Sequence, residues 1–124
     1  MSAAAVRILA VDNEPSVTFS LRHIFNGSRY EFSAVENGDA ALARLDSGSD
    51  PYDVIIVDQK MPHMTGVELV GEIKKRGVTS KIMVLSADVS SEVRADYERM
   101  DVHLVFPKPF DVRDLRSAID HLVA

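Results

Sequence analysis

Six side chains in this sequence have the types and placing to do chemistry together. Asp12, Asn13 and Glu14 stand in LAVDNEP (9–15), Asp58 closes DVIIVD (53–58), Ser86 closes KIMVLS (81–86) and Lys108 lies in FPKPF (106–110). Oxygen donors with no His or Cys nearby in sequence favour a hard cation such as Mg²⁺, which keeps several waters and takes only one or two carboxylates. A hydroxyl and an ammonium facing the same point match the equatorial oxygens of a phosphoryl group. If these residues meet, Asp58 reads as a carboxylate that accepts a phosphoryl group. Asp58 is also the hardest of them to explain otherwise, because a carboxylate closing an apolar strand is desolvated with no structural return.

The elements that must bring them together are legible as five apolar runs: VRILAV (6–11), YEFSAV (30–35), DVIIVD (53–58), KIMVLS (81–86) and HLVF (103–106). The first, third and fourth are near-continuous in Val, Ile and Leu, as strands covered on both faces must be. YEFSAV alternates, and HLVF runs into Pro107, so both belong at sheet edges. Helical period fills the gaps. One helix begins near Pro15 with Val17, Leu21, Ile24 and Phe25 on one face, and others are predicted over 38–47, 64–76 and 89–100. The last follows Asp111 as N-cap and turns Val112, Leu115, Ile119 and Leu122 inward. Strand and helix therefore alternate, which predicts a flavodoxin-like doubly wound (βα)5 fold, an α/β architecture with a parallel sheet of order 2-1-3-4-5. Ligands in such sheets sit beyond the carboxyl ends of the strands, near the switch point between the first and third. All six residues fall at that rim.

The totals narrow the function classes. A chain of 124 residues with 46% hydrophobic and 27% charged residues fits one globular domain, read here as a flexible tail over 1–5 and a folded unit over 6–124. A net charge of −5 argues against direct binding of nucleic acid or an anionic membrane surface. The absence of cysteine removes disulfides and thiolate chemistry, and suits a cytoplasmic location. MSAAAVR has no basic start followed by a long apolar core, so it is not read as a signal segment.

Read singly, the same residues have plainer explanations. Asp12 and Glu14 are suited to capping the helix at Pro15, Ser86 to a loop hydroxyl and Lys108 to a solvated charge. His23, His63, His103 and His121 lack ligand spacing and read as surface or loop residues. MPHMTG supplies Pro62 and Gly66 to shape the loop after the third strand.

In order and spacing, ILAVDNEP, DVIIVDQKMPHMTGVEL, IMVLSA and FPKPF resemble the response-regulator receiver domains of two-component signalling, over residues 6 to 123. The resemblance implies that Asp58 takes a phosphoryl group from the phosphohistidine of a sensor histidine kinase or a histidine phosphotransfer protein. It implies further that Asp12, the Asn13 position, Asp58 and the backbone carbonyl of Lys60 hold Mg²⁺, that Ser86 and Lys108 hold the phosphoryl oxygens, and that the Lys108–Pro109 peptide is cis. A downstream effector would read the outer face of the last two helices and the fifth strand, which is also a candidate homodimer surface.

The sequence departs from the family in two places. Receivers usually have an acid where Asn13 stands, and one fewer negative charge weakens Mg²⁺ binding while relieving repulsion in the empty site. Glu14 either compensates for that charge or points to solvent, and the sequence leaves both open. Receivers also usually carry Tyr or Phe three residues before the lysine, where this chain has Val105; Phe106 is one place later and faces the other way in a strand. Lys60 and Asp88 stand where a pair across the site would hinder an attacking water and slow self-dephosphorylation.

Other classes fit less well. A phosphatase of the haloacid-dehalogenase type needs a second Asp two residues after the nucleophile, and Lys60 is there, so turnover of an external substrate is not expected and the chain reads as a switch rather than an enzyme. DNEPSV is acidic and has no glycine, unlike a flavin phosphate loop. The serious rival is a receiver-like interaction module that signals without phosphorylation.

Overall fold

The computed structural model describes residues 5–48, 51–87 and 90–124. Strand and helix alternate along the chain: β1 (Val6–Val11), α1 (Pro15–Ile24), β2 (Tyr30–Val35), α2 (Gly38–Ser47), β3 (Val54–Asp58), α3 (Gly66–Lys75), β4 (Lys81–Ser86), α4 (Ser91–Arg99), β5 (Leu104–Pro107) and α5 (Val112–Leu122). All pairings are parallel and the sheet order is β2-β1-β3-β4-β5, as the patterning of the runs predicts.

Alternation along the strands divides the core in two. Leu9, Val11, Ile55, Val57, Ile82 and Val84 face α2, α3 and α4, whereas Ile8, Ala10, Val54, Ile56, Met83 and Leu85 face α1 and α5. Both sets are buried, so the three central strands have no polar face, and at roughly 1.5–3 kcal/mol per large apolar side chain they are the main source of stability. The same alternation puts Val105 with the α2–α4 side and Phe106 with the α1–α5 side, so Phe106 does not stand in for an aromatic at position 105.

Several boundaries differ from the sequence expectation by one or two residues for local reasons. β3 starts at Val54 because the Asp53 carboxylate accepts from the Arg7 N–H at 2.8 Å. β5 runs over Leu104–Pro107, one residue later than HLVF; Pro107 pairs with Ser86 on an outer strand, where its missing N–H costs nothing. α3 starts at Gly66 because Thr65 and Glu68 form a reciprocal capping box. Asp111 caps α5 as expected, accepting from Arg113 and Asp114.

Candidate functional site

Register builds the site. Val11 pairs with Val57, so the next residues, Asp12 and Asp58, emerge side by side on the α1–α5 face of the sheet's carboxyl edge. Ser86 ends β4 and its carbonyl accepts the Lys108 N–H at 3.0 Å, which ties the lysine loop to the same edge. The Lys108–Pro109 peptide is cis, as expected.

Three of the predicted residues meet directly. Lys108 Nζ donates to Asp12 Oδ2 at 3.1 Å and to Asp58 Oδ1 at 3.2 Å, and both carboxylates are 4% exposed. Glu14 joins them: its Oε1 lies 3.7 Å from Lys108 Nζ, and one carboxylate oxygen from each of Asp12, Glu14 and Asp58 lies within 4.8 Å of the others. Neither acid caps α1 in the usual way. Glu14 occupies the N-cap position without a side-chain cap bond, while Asp12 Oδ1 accepts from the Glu14 N–H at 2.9 Å and leaves Oδ2 for the lysine. Ser86 is buried at the strand end. Asn13 and Lys60 are exposed, and Asn13 lines a small cleft with Thr18, Arg22 and Glu36. Asp88 lies outside the described residues, so the Lys60–Asp88 pair is not described.

The electrostatics follow from this crowding. Burial, then the Asp12 charge, pushes the Asp58 carboxyl above the usual carboxylate range, with Lys108 pulling the other way. Burial alone would lower Lys108, but its hydrogen bond to Asp12 and the charges of Asp12 and Asp58 outweigh that and raise it. When ionised, three carboxylates face one ammonium and leave two negative charges uncompensated. Asp58 Oδ2 is buried and has no hydrogen-bond partner among the described residues. An all-oxygen, net-negative cluster with an unsatisfied buried carboxylate oxygen fits a hard divalent cation.

Two further residues flank the acceptor. Gln59, buried beside Asp58, accepts at Oε1 from the Val67 N–H at 3.2 Å and from the Tyr97 hydroxyl, while its carbonyl accepts the Gly66 N–H at 2.9 Å. Gly66 permits this approach: a Cβ there would lie 2.5 Å from the Tyr97 hydroxyl and 2.8 Å from the Asp58 carbonyl oxygen. Burial, then the Asp58 and Asp96 charges, pushes the Tyr97 hydroxyl far above its ordinary range, so it remains a donor. Helical period in the sequence predicts the helix that carries Tyr97 but does not connect that residue to Gln59. The signal was the hydroxyl itself, which needs a partner when buried.

A doubly wound α/β domain with an acid-and-lysine cluster at its switch point is the class that fold and site define. The family model for the response regulator receiver domain matches residues 8–120, and the chain belongs to that family. It is 33% identical over 120 residues to the response regulator MprA of Mycolicibacterium vanbaalenii and 25% identical over 113 residues to sporulation initiation phosphotransferase F of Bacillus subtilis. The matches cover 95% and 91% of this chain, but 50% of MprA and 90% of the phosphotransferase. The chain spans 24% of the Salmonella typhimurium transcriptional regulator NtrC, so several curated relatives are much longer. Among solved structures it resembles the chemotaxis protein CheY4 of Vibrio cholerae, with 27% identity, TM-score 0.87 and coverage of 96% and 99% of the two chains. It also resembles TrrA of Thermotoga maritima, solved in complex with Mg²⁺–BeF, with 34% identity, TM-score 0.79 and coverage of 94% and 97%.

Proposed function

We propose that the chain is a phosphorylatable receiver in which Asp58 accepts a phosphoryl group from the phosphohistidine of a sensor histidine kinase or histidine phosphotransfer protein. The observation that carries this reading is the buried Asp58, pinned by Lys108 through one oxygen and unsatisfied at the other. A carboxylate oxygen of Asp58 attacks phosphorus, the P–N bond to the donor imidazole breaks with its electron pair staying on nitrogen, and an acyl phosphate results. Lys108 moves with the charge, giving its proton donors to the new phosphoryl oxygens, and the Ser86 hydroxyl takes another. Asp12 and Asp58, with the Asn13 amide and the Lys60 carbonyl, would hold Mg²⁺, and Glu14 adds the charge that Asn13 lacks. The bound ion supplies positive charge against the transferring group. That TrrA is seen with Mg²⁺–BeF supports this choice of ion.

The donor reaches the acceptor along an open groove lined by Glu14, Phe19, His23, Lys108, Pro109 and Phe110, where Phe19 is 64% exposed. This groove runs up to the acceptor's lysine, which suits a protein that must deliver a group to Asp58. The response is a shift between conformers read by an effector on the outer faces of α4, β5 and α5. Those faces also suit a homodimer. Among the described residues no helix is long and apolar enough to cross a membrane.

Incubation with acetyl phosphate across a Mg²⁺ titration, followed by intact mass, tests the reading. The expected result is one added phosphoryl group that requires both Mg²⁺ and Asp58, and that Asp58→Ala lacks. Folded protein that gains nothing at high Mg²⁺ overturns it in favour of an interaction module that signals without phosphorylation.

A further inference from the structure

The polar pair on the far side of the acceptor strand has no part in holding metal or phosphoryl oxygens. Tyr97 is the largest fully buried side chain and the buried residue of α4, a helix otherwise rich in charged residues. Its hydroxyl passes over Gly66 to Gln59, the residue directly after Asp58. Gln59 is itself fixed at three points, by Val67, Gly66 and Tyr97. α4 is therefore joined to the end of the acceptor strand by a specific, desolvated hydrogen bond. On the sheet's same side the position where a switching aromatic would stand is Val105, which is packed against this core and has no polar group to offer.

We propose that Tyr97 is a positioning residue that latches α4 to the acceptor strand through Gln59 in the unphosphorylated domain, and that release of this bond is how phosphorylation of Asp58 reaches α4. The inference rests on the phosphoacceptor reading given above. β4 ends at Ser86 and α4 begins at Ser91, so any motion of Ser86 toward a phosphoryl group pulls on the start of the latched helix. The latch stabilises the arrangement without the phosphoryl group. By linkage, removing it shifts the population toward the arrangement that accepts one.

The test is the rate of phosphoryl uptake from acetyl phosphate and Mg²⁺, followed by intact mass, in wild type, Tyr97→Phe, Gln59→Met and the double variant. Loss of one net hydrogen bond predicts uptake faster by about three- to tenfold in Tyr97→Phe; Gln59→Met loses that bond together with the one from the Val67 N–H and should be at least as fast. The double variant should be no faster than Gln59→Met alone, because the one bond that Tyr97→Phe removes is already lost with the Gln59 side chain. Urea midpoints establish that each variant is folded, and a general loosening would lower stability without this non-additivity in rate. Tyrosine emission gives an independent reading, since there is no tryptophan: it should change on phosphorylation of the wild type. Single variants that match or trail wild type, effects that multiply, or an unchanged emission overturn the latch while leaving the phosphoacceptor reading intact. Failure of the wild type to gain mass overturns both.

Discussion

Replacing Lys108 by Met keeps the apolar stem and removes the ammonium, which isolates its electrostatic role. Nζ lies 3.1 Å from Asp12 Oδ2 and 3.2 Å from Asp58 Oδ1. At an effective dielectric of about 20 each contact is worth about 5 kcal/mol in gross Coulomb energy, from which the cost of desolvating the ammonium must be taken. Breaking a buried pair from one side costs about 3–5 kcal/mol in total. The lysine side chain is 13% exposed at an open rim, which argues for the lower end, about 3 kcal/mol in metal-free buffer at neutral pH. With a slope of about 2 kcal/mol per molar urea, the midpoint should fall by about 1.5 M.

The deficit should also depend on pH. The Asp58 carboxyl is raised on folding, so the native state binds more protons than the unfolded chain and stability falls as pH rises through the window above the ordinary carboxylate value. Without Lys108 the pull that holds Asp58 down is gone and that window extends upward. The variant's deficit therefore grows from mildly acid to neutral pH, and Mg²⁺ stabilises the variant more than the wild type because its carboxylates have lost their competing cation. Urea unfolding followed by far-ultraviolet circular dichroism at two pH values, with and without Mg²⁺, reads all of this. A midpoint within 0.3 M or so of wild type at neutral pH, on that same slope, would refute the claim that the ammonium stabilises the acid pair.

Asn13→Asp should tighten Mg²⁺ binding by roughly 1–2 kcal/mol, about five- to thirtyfold, because it adds a charge at an exposed position near the site; isothermal titration checks this, and metal-free stability should drop at the same time. Phe19→Ala should leave uptake from acetyl phosphate unchanged and slow transfer from a protein phosphodonor about tenfold or more, since the ring is largely exposed beside the groove and meets His23 edge-on, away from the acid cluster. Equal slowing with both donors would place Phe19's role in folding instead.

Much of this molecule follows from the chain without tertiary information. Near-continuous apolar runs mark β1, β3 and β4 as central, and alternation and Pro107 mark β2 and β5 as edges. Period-two and period-3.6 patterns report how each element is buried, and burial is what selects sheet order. The rim of Asp12, Asp58, Ser86 and Lys108 follows once strand ends are known, because a parallel sheet puts all its carboxyl ends on one edge. What the chain left open is how side chains choose partners across that edge. Sequence does not say whether Glu14 caps its helix, points to water or joins the acids; the Asp12 bond to the Glu14 N–H and the reach of Lys108 bring it in. Nor does it join Gln59 to Tyr97, which are separated by 38 residues and meet only because α3 and α4 pack on one face and Gly66 leaves room. Periodicity is a property of neighbours along the chain, whereas a hydrogen bond between distant side chains depends on register and packing, which only the folded structure decides.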